Sequence, residues 1–451
     1  MWPFDELRKR AIHRAGKPLR AIAVLAIVML TAMLSAPCVT ETAPGSPVQL
    51  DFWSSSNPQE IEFARAVVNA WNASRSDVKV KLQPLPASRS SEEVLLASIA
   101  ARSTPDIVAN IYPGAVSQFV ESRGLYPVDS FPDFLSFMED RLPPGVLEQF
   151  RSSDGRYYQV PWKSNPIMLA YNVNMLKAAG VDPSCLATYS GFLDSAERLV
   201  RSTRKDRRTD RWMISLNIEP IWWQRFFDFY TLYIAASGGR TLISDNRATF
   251  NDSAGVKVMQ FLADLFGRGY APKSTFAGDV FLQGKVATVI TGPWAIPYYE
   301  AMKPRDFVYD FTHVPVPDDY KGKVVYTYGD PKNIGIFTTS KHPAEAWEFV
   351  KFIISAENDA RFMDMTSQIP YRRNLENDPR FAVIIKKQPL IARFVEQSHY
   401  TRGVDSVGRL IEVFDAIAQE YQYCAVLGGE SAREAVDTAA ERVSEILKGA
   451  Y

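Results

Sequence analysis

The stretch from Val48 to Ala109 limits the possible folds more than any other part of the chain. Val48-Gln49-Leu50-Asp51-Phe52-Trp53 alternates apolar and polar positions before running apolar, which is the period-two signature of a strand, and Ser54-Ser55-Ser56 supplies the turn that ends it. A helix follows at once. Asn57 can cap it, Pro58 suits its first turn, Glu60 stands three residues after the cap, and Ile61, Ala64, Val68 and Trp71 fall on one face. Val78 to Leu82 alternates as a second strand, Glu92 to Ala101 is helical, and Asp106 to Ala109 reads as a short buried strand. A parallel pair needs a crossover, so this βαβα order predicts parallel strands with helices on the sheet faces, an α/β fold.

The middle of the chain is richer in helix. Met175 to Ala179 ends in Gly180 as a helix would, and helical patterns fill Phe192 to Val200 and Trp222 to Ala236. Strand patterns return at Val286 to Ile290, which leads into Thr291-Gly292-Pro293-Trp294, and at Asn333 to Phe337. Helical spacing follows over Ala344 to Ile354 and, as a packing helix, over Ala432 to Lys448. No repeat of fixed period is present.

The first residues stand apart. Arg8, Lys9, Arg10, Arg14, Lys17 and Arg20 precede the apolar run Ala21 to Ala36, which at 16 residues falls short of the ~20 of a spanning helix, so residues 1–37 read as an export signal. Leu34-Ser35-Ala36-Pro37-Cys38 looks like a lipoprotein box with Cys38 as the acylated residue, departing from it at Ser35 and Pro37; lipid anchoring and plain cleavage both stay open. Residues 38–47 read as a flexible tether. Cys185 and Cys424 then remain in a compartment that permits disulfides, as a bridge or as two buried free thiols.

Lys+Arg and Asp+Glu number 51 each, and removing the leader leaves a net charge of about −4 by the same counting, so the basic excess of a nucleic-acid binder is missing. The cluster Arg201, Arg204, Lys205, Arg207, Arg208 and Arg211, broken by Asp206 and Asp210, reads as a solvated loop or helix face. The four histidines are scattered without an HExxH pair, and GxSxG, GxxxxGK and GxGxxG are absent. The expectation is therefore a protein with no catalytic residue, metal or cofactor.

Aromatic residues instead collect where turns follow strands: Trp53, Tyr112, Trp162 and Trp294, with Trp222 and Trp223 opening a helical stretch and Tyr326 and Tyr328 beside Gly329-Asp330. In open α/β sheets ligands bind beyond the carboxyl ends of the strands, where such turns lie. A pyranose has C–H faces that stack on rings and hydroxyls that need Asp, Asn, Arg and Ser partners, so this mixture suits a carbohydrate cleft.

Ordered motifs then carry a family likeness. Leu50-Asp51-Phe52-Trp53 is similar to an opening strand, and Thr104-Pro105-Asp106-Ile107-Val108 with Gly124-Leu125-Tyr126-Pro127-Val128-Asp129 to a Pro-Asp-Ile strand and its later turn. Asp154 to Pro161, Leu169-Ala170-Tyr171-Asn172 and Ala179-Gly180-Val181-Asp182 follow, then Phe281 to Ala287 with Gly292-Pro293-Trp294, Ala346 to Phe352, and Pro370-Tyr371-Arg372. Nearly the whole chain after the leader thus resembles the extracellular solute-binding proteins of bacterial ABC importers, in the maltose-binding-protein-like carbohydrate group. It departs from that pattern at Pro183 to Tyr189.

The resemblance implies a two-lobed periplasmic-binding-protein-like fold, with residues 48–163 and 326–366 in one lobe, residues 164–325 and 367–451 in the other, and a ligand cleft between them that closes about crossing segments. It implies an exported monomer, periplasmic or on the outer face of the cytoplasmic membrane, that delivers a neutral mono- or oligosaccharide to permease subunits. Matching positions are Ser54, Ser55, Asn110, Tyr112, Trp162, Trp294, Tyr328, Gly329, Asp330 and Arg372, with Trp222 and Trp223 added on chemistry. A glycerol phosphate or other anion, or a role as an extracytoplasmic sensor subunit, are the alternatives.

Overall fold

The computed structural model describes residues 46–449 apart from 88–89, 204–208, 404 and 406–407. The leader, Cys38, most of the tether and the centre of the basic cluster lie outside the described residues.

The strands, in chain order, are β1 (Val48–Ser54), β2 (Val78–Pro84), β3 (Ile107–Ile111), β4 (Val160–Lys163), β5 (Met168–Asn172), β6 (Trp212–Ser215), the small hairpin β7 (Ile243–Ser244) and β8 (Arg247–Ala248), β9 (Val286–Thr291), β10 (Tyr309–Thr312), β11 (Thr327–Tyr328), β12 (Lys332–Ile336) and β13 (Thr401–Arg402). The larger sheet has the order β2-β1-β3-β12-β4. β1 runs parallel to both β2 and β3, as the βαβα pattern requires, while β12 runs antiparallel to β3 and β4. A second sheet, β10-β5-β9-β6, is also mixed. The chain passes from the first sheet to the second between β4 and β5, leaves the second after β10, and returns to the first at β12 by way of β11, which pairs with β13.

Helix α1 (Pro58–Ser74) starts as its sequence dictates, with the Asn57 side chain accepting from the N–H groups of Gln59 and Glu60. It buries Phe63, Ala64, Val67, Val68 and Trp71, whereas Ile61 is only half-buried. Ala64, Val68 and Trp71 of the expected face are thus buried, Ile61 lies at its margin, and Glu60 is carried inward. Fully burying each large apolar side chain of this kind stabilises the fold by roughly 1.5–3 kcal/mol. Helix α2 (Ser91–Ala100) follows β2, capped by Ser90. Ala432–Lys448 forms the closing helix with a reciprocal Ser431–Glu434 capping box.

The helical patterning over much of Trp222–Ala236 is realised in two pieces: Trp222–Phe227 is a 3₁₀ turn, Phe229–Ala236 is α-helical, and Asp228 separates them at φ −134°, ψ −89°. One reading is corrected. Cys185 and Cys424 are both free, with Cys185 exposed and Cys424 buried, so neither a bridge nor a pair of buried thiols forms.

Candidate ligand cleft between the sheets

Because β1, β3 and β4 all run the same way, their carboxyl ends place Ser54-Ser55, Tyr112 and Lys163 along one edge of the first sheet. Antiparallel β12 begins at that edge with Lys332. This is where an open α/β sheet holds a ligand.

The floor of the edge is charged and covered. Lys163 Nζ lies 2.6 Å from Glu60 Oε1 and donates to Gln368 Oε1 at 3.0 Å; Gln368 Nε2 donates to Glu60 Oε1 at 2.7 Å, and Asn165 Nδ2 to Gln368 Oε1 at 2.8 Å. Burial opposes ionisation of Glu60, yet the Lys163 ammonium wins and holds its carboxyl below the usual range. Further along, Lys332 Nζ stands 3.6 Å from Asp330 Oδ1 and 4.0 Å from Glu92 Oε1, and 5.2 Å from the centre of the Tyr112 ring. Burial disfavours the Lys332 charge, but Asp330 and Glu92 raise its pKa above that of an ordinary lysine. Asp330 itself sits in the left-handed region at φ 32°, a backbone strain of the kind that collects at binding sites.

Rings from both sides meet above this floor. Tyr112 lies 4.9 Å from Phe226, which stacks on Tyr328 at 5.3 Å and 14°, and Phe227 bridges Tyr328 (6.2 Å) and Trp294 (5.9 Å). Tyr112 donates from its hydroxyl to the Gly403 carbonyl at 3.2 Å, and Trp222 Nε1 donates to Glu93 Oε1 at 3.1 Å. These contacts join the elements of the two sheets, so the cleft is drawn shut over Tyr112 and Tyr328. Gly403, at φ 113°, permits the approach: a Cβ there would come within 2.5 Å of the Tyr328 ring. Behind them Tyr230 donates to buried Asp405.

Open space remains on one flank. A cavity of about 310 Å³ is lined by Gln149, Ser164, Gly329, Tyr371, Arg402 and neighbours. It shares Gln149, Ser164, Tyr371, Thr401 and Arg402 with a second cavity of about 430 Å³. Each is of a size that holds a small ligand. Arg402 stacks over Tyr326, 4.3 Å from the ring centre, and no carboxylate among the described residues is in ion-pair distance of it.

A family model described as bacterial extracellular solute-binding protein matches residues 56–360. The chain belongs to that family. Its members are non-catalytic binding proteins, and those of this group serve ABC importers. The chain is similar to an arabinooligosaccharide-binding protein of Bacillus subtilis, with 22% identity over 74% of this chain and 76% of that one. It is also similar to the sn-glycerol-3-phosphate-binding periplasmic protein UgpB of Pectobacterium atrosepticum, with 22% identity over 95% of this chain and 96% of that one. Among solved structures, the sugar-binding protein MalE from Xanthomonas citri shares the fold with a TM-score of 0.71 at 20% identity, covering 89% of this chain and 98% of that one. The α/β architecture with two mixed sheets is that of the MalE-like binding proteins.

Within this solute-binding protein the expected contact residues divide. Ser54, Ser55, Tyr112, Tyr328, Gly329 and Asp330 come together at the sheet edge, and Trp294 joins them through Phe227. Asn110 is turned to Ser91, donating at 2.6 Å. Trp222 reaches across to Glu93, while Trp223 beside it is exposed. Trp162 is packed into the core of the first sheet against Phe63 and Phe362. Arg372 is bound to Asp359, which also holds Arg141, so its guanidinium serves packing beneath the crossing segment.

Glu60, Glu92, Lys163, Lys332, Gln368 and Arg402 were not anticipated. Glu60 had a routine explanation as a capping partner, and buried lysines are rare enough that no pattern announces them. The one available signal was adjacency: Lys163 follows Trp162, and Lys332 lies two residues after Asp330. Among the described residues no group of His, Cys, Asp and Glu could hold a metal ion, and no helix is long and apolar enough to cross a membrane.

Proposed function

We propose that this solute-binding protein captures a mono- or oligosaccharide between two lobes, residues 48–163 with 326–366 and residues 164–325 with 367–451, and presents it to importer permease subunits. The observation that carries the reading is the pairing of ring faces with hydroxyl-binding groups at one edge. Tyr112 and Tyr328 stand beside Asp330, Glu92 and Lys332, with Trp294 reached through Phe227, the combination that a sugar's C–H faces and hydroxyls require. Binding follows by closure about the three segments that cross between these ranges, at 163/164, 325/326 and 366/367. Export by the leader and acylation at Cys38 belong to the same proposal; mass spectrometry of the N-terminus of the exported protein tests both.

A phosphate-bearing solute is the second reading, favoured by Arg402, which lines both cavities without a carboxylate partner among the described residues. Thermal unfolding against mono-, di- and oligosaccharides and glycerol phosphates separates the two, because a ligand that binds only the native state raises the midpoint. A rise with a saccharide is the expected result. Rises with phosphates alone would overturn it.

A further inference from the structure

The charges gathered at the cleft edge do not balance. Glu60, Glu92 and Asp330 face Lys163 and Lys332, and the five form one electrostatic group: Lys332 feels Asp330, Glu92 and Glu60, and Lys163 feels Glu60, Asp330 and Lys332. All are covered, with Lys332 the most accessible at 19% of its side chain. Asp405 adds a further carboxylate behind Tyr112, whose ring environment is shared by Asp405, Asp330 and Glu92.

The surplus is localised. Lys163 satisfies Glu60 Oε1, and Lys332 leans to Asp330. Glu92 is left over: its Oε1 is 4.0 Å from Lys332, beyond hydrogen-bond reach, and accepts no hydrogen bond from the described residues although Glu92 is only 6% exposed; Glu60 Oε2 lacks a hydrogen bond too, but that carboxylate holds Lys163 at 2.6 Å through Oε1. A buried carboxylate oxygen without a donor is costly and calls for a partner, and at the edge of a ligand cleft the solute is in position to be one. Glu92 also stands in the first turn of α2, the end of a helix where the dipole favours an acidic side chain. Beside it the face of the Tyr112 ring already holds one cation, Lys332.

We propose that the solute is a saccharide bearing a protonated amine, which donates to Glu92 and supplies the missing positive charge at the Tyr112 end of the cleft. This deepens the saccharide reading and rests on it. A neutral sugar can donate a hydroxyl to Glu92 but leaves the covered edge net negative. An amino sugar closes both the hydrogen-bond and the charge deficit.

Matched pairs of equal ring number test this: glucosamine with glucose, galactosamine with galactose, and the β-1,4-linked glucosamine disaccharide with cellobiose, each titrated calorimetrically into the purified protein at low ionic strength. The expected result is at least tenfold tighter binding of the amine member of one pair, an advantage that shrinks with added salt. Glu92→Gln should bring the two members of that pair to equal affinity. Equal or tighter binding of the neutral member, or an advantage that survives Glu92→Gln, overturns the amine while leaving the saccharide reading standing. If no sugar of either kind binds and glycerol phosphate does, both fall together.

Discussion

The Lys163 ammonium and the Glu60 carboxylate meet at 2.6 Å with almost no solvent on either side, and they come from the last strand and the first helix of one sheet. Such a pair is held by mutual attraction and by the amide of Gln368, against the desolvation of both ions. Removing one partner strands the other. Lys163→Met should therefore cost about 3–5 kcal/mol in urea unfolding, and the double variant Glu60→Gln with Lys163→Met should recover most of it. Because the Glu60 carboxyl is held below its unfolded value, the pair's contribution is present above the ordinary carboxylate range near ~4.3 and is lost as pH falls through the folded value.

Arg372 has a structural partner, and that fixes what its loss should do. Asp359 is fully buried and accepts from Arg141 Nη2 at 2.9 Å and Arg372 Nη1 at 2.8 Å. Arg372→Ala leaves Arg141 in place, so a loss of about 1–3 kcal/mol in unfolding free energy is expected, with ligand affinity changed less than threefold. A large loss of affinity at unchanged stability would put Arg372 back among the ligand contacts.

The architecture was readable from local patterns because its first units are built locally. The Asn57 cap, the alternation of β1 and the stripe of the Ala432–Lys448 helix each need only neighbouring residues. The polar floor of the cleft obeys no such rule. Glu60 and Gln368 are 308 residues apart, and Asn165 and Gln368 are 203 apart, so their union depends on where the crossing segments pass. Trp162 shows the converse: a ring after a strand looks the same in sequence whether it faces the ligand or, as here, Phe63 and Phe362. The break at Asp228 was hidden for a related reason. Trp222 to Ala236 has helical periodicity, and it is the burial of Arg225 against Asp228 and over the Tyr421 ring that interrupts it.

Trp222 and Glu93 tie the two sides of the cleft together, and Trp222→Phe keeps most of the ring while deleting the donor. A hydrogen bond to a charged acceptor contributes about 1.5–3 kcal/mol. The free variant should shift toward an open form, seen as a larger radius of gyration by small-angle scattering, and ligand affinity should fall roughly tenfold or more, since each ~1.4 kcal/mol is one decade. An unchanged scattering profile together with unchanged affinity would show that the contact does not hold closure.

Trp294 is half-buried, edge-on to Phe227, and offers the second sheet's largest ring near the site. Trp294→Ala should weaken saccharide binding by about 1–3 kcal/mol in calorimetry through loss of a stacking face. The same titration of Trp294→Phe should recover part of it. Affinity equal to that of the parent in both variants would remove Trp294 from the site.

Asp405 gives the cleft a pH dependence of its own. Burial pushes its carboxyl up to about 6, against the hydrogen bonds from the Tyr230 hydroxyl and the Ile243 N–H that favour the charged form. The unfolded chain titrates this group near ~3.9, so the folded state prefers the neutral acid. The sign follows: stability from this group is full below the unfolded value and is lost as pH rises through about 6, to an extent of roughly 3 kcal/mol. Asp405→Asn keeps an acceptor oxygen for Tyr230 but cannot ionise. Urea unfolding at pH 4.5 and pH 8 should therefore show parent and variant diverging toward high pH, with the variant losing less stability over the interval. Parallel pH profiles would mean that Asp405 is charged throughout, satisfied by Tyr230 and Ile243 alone.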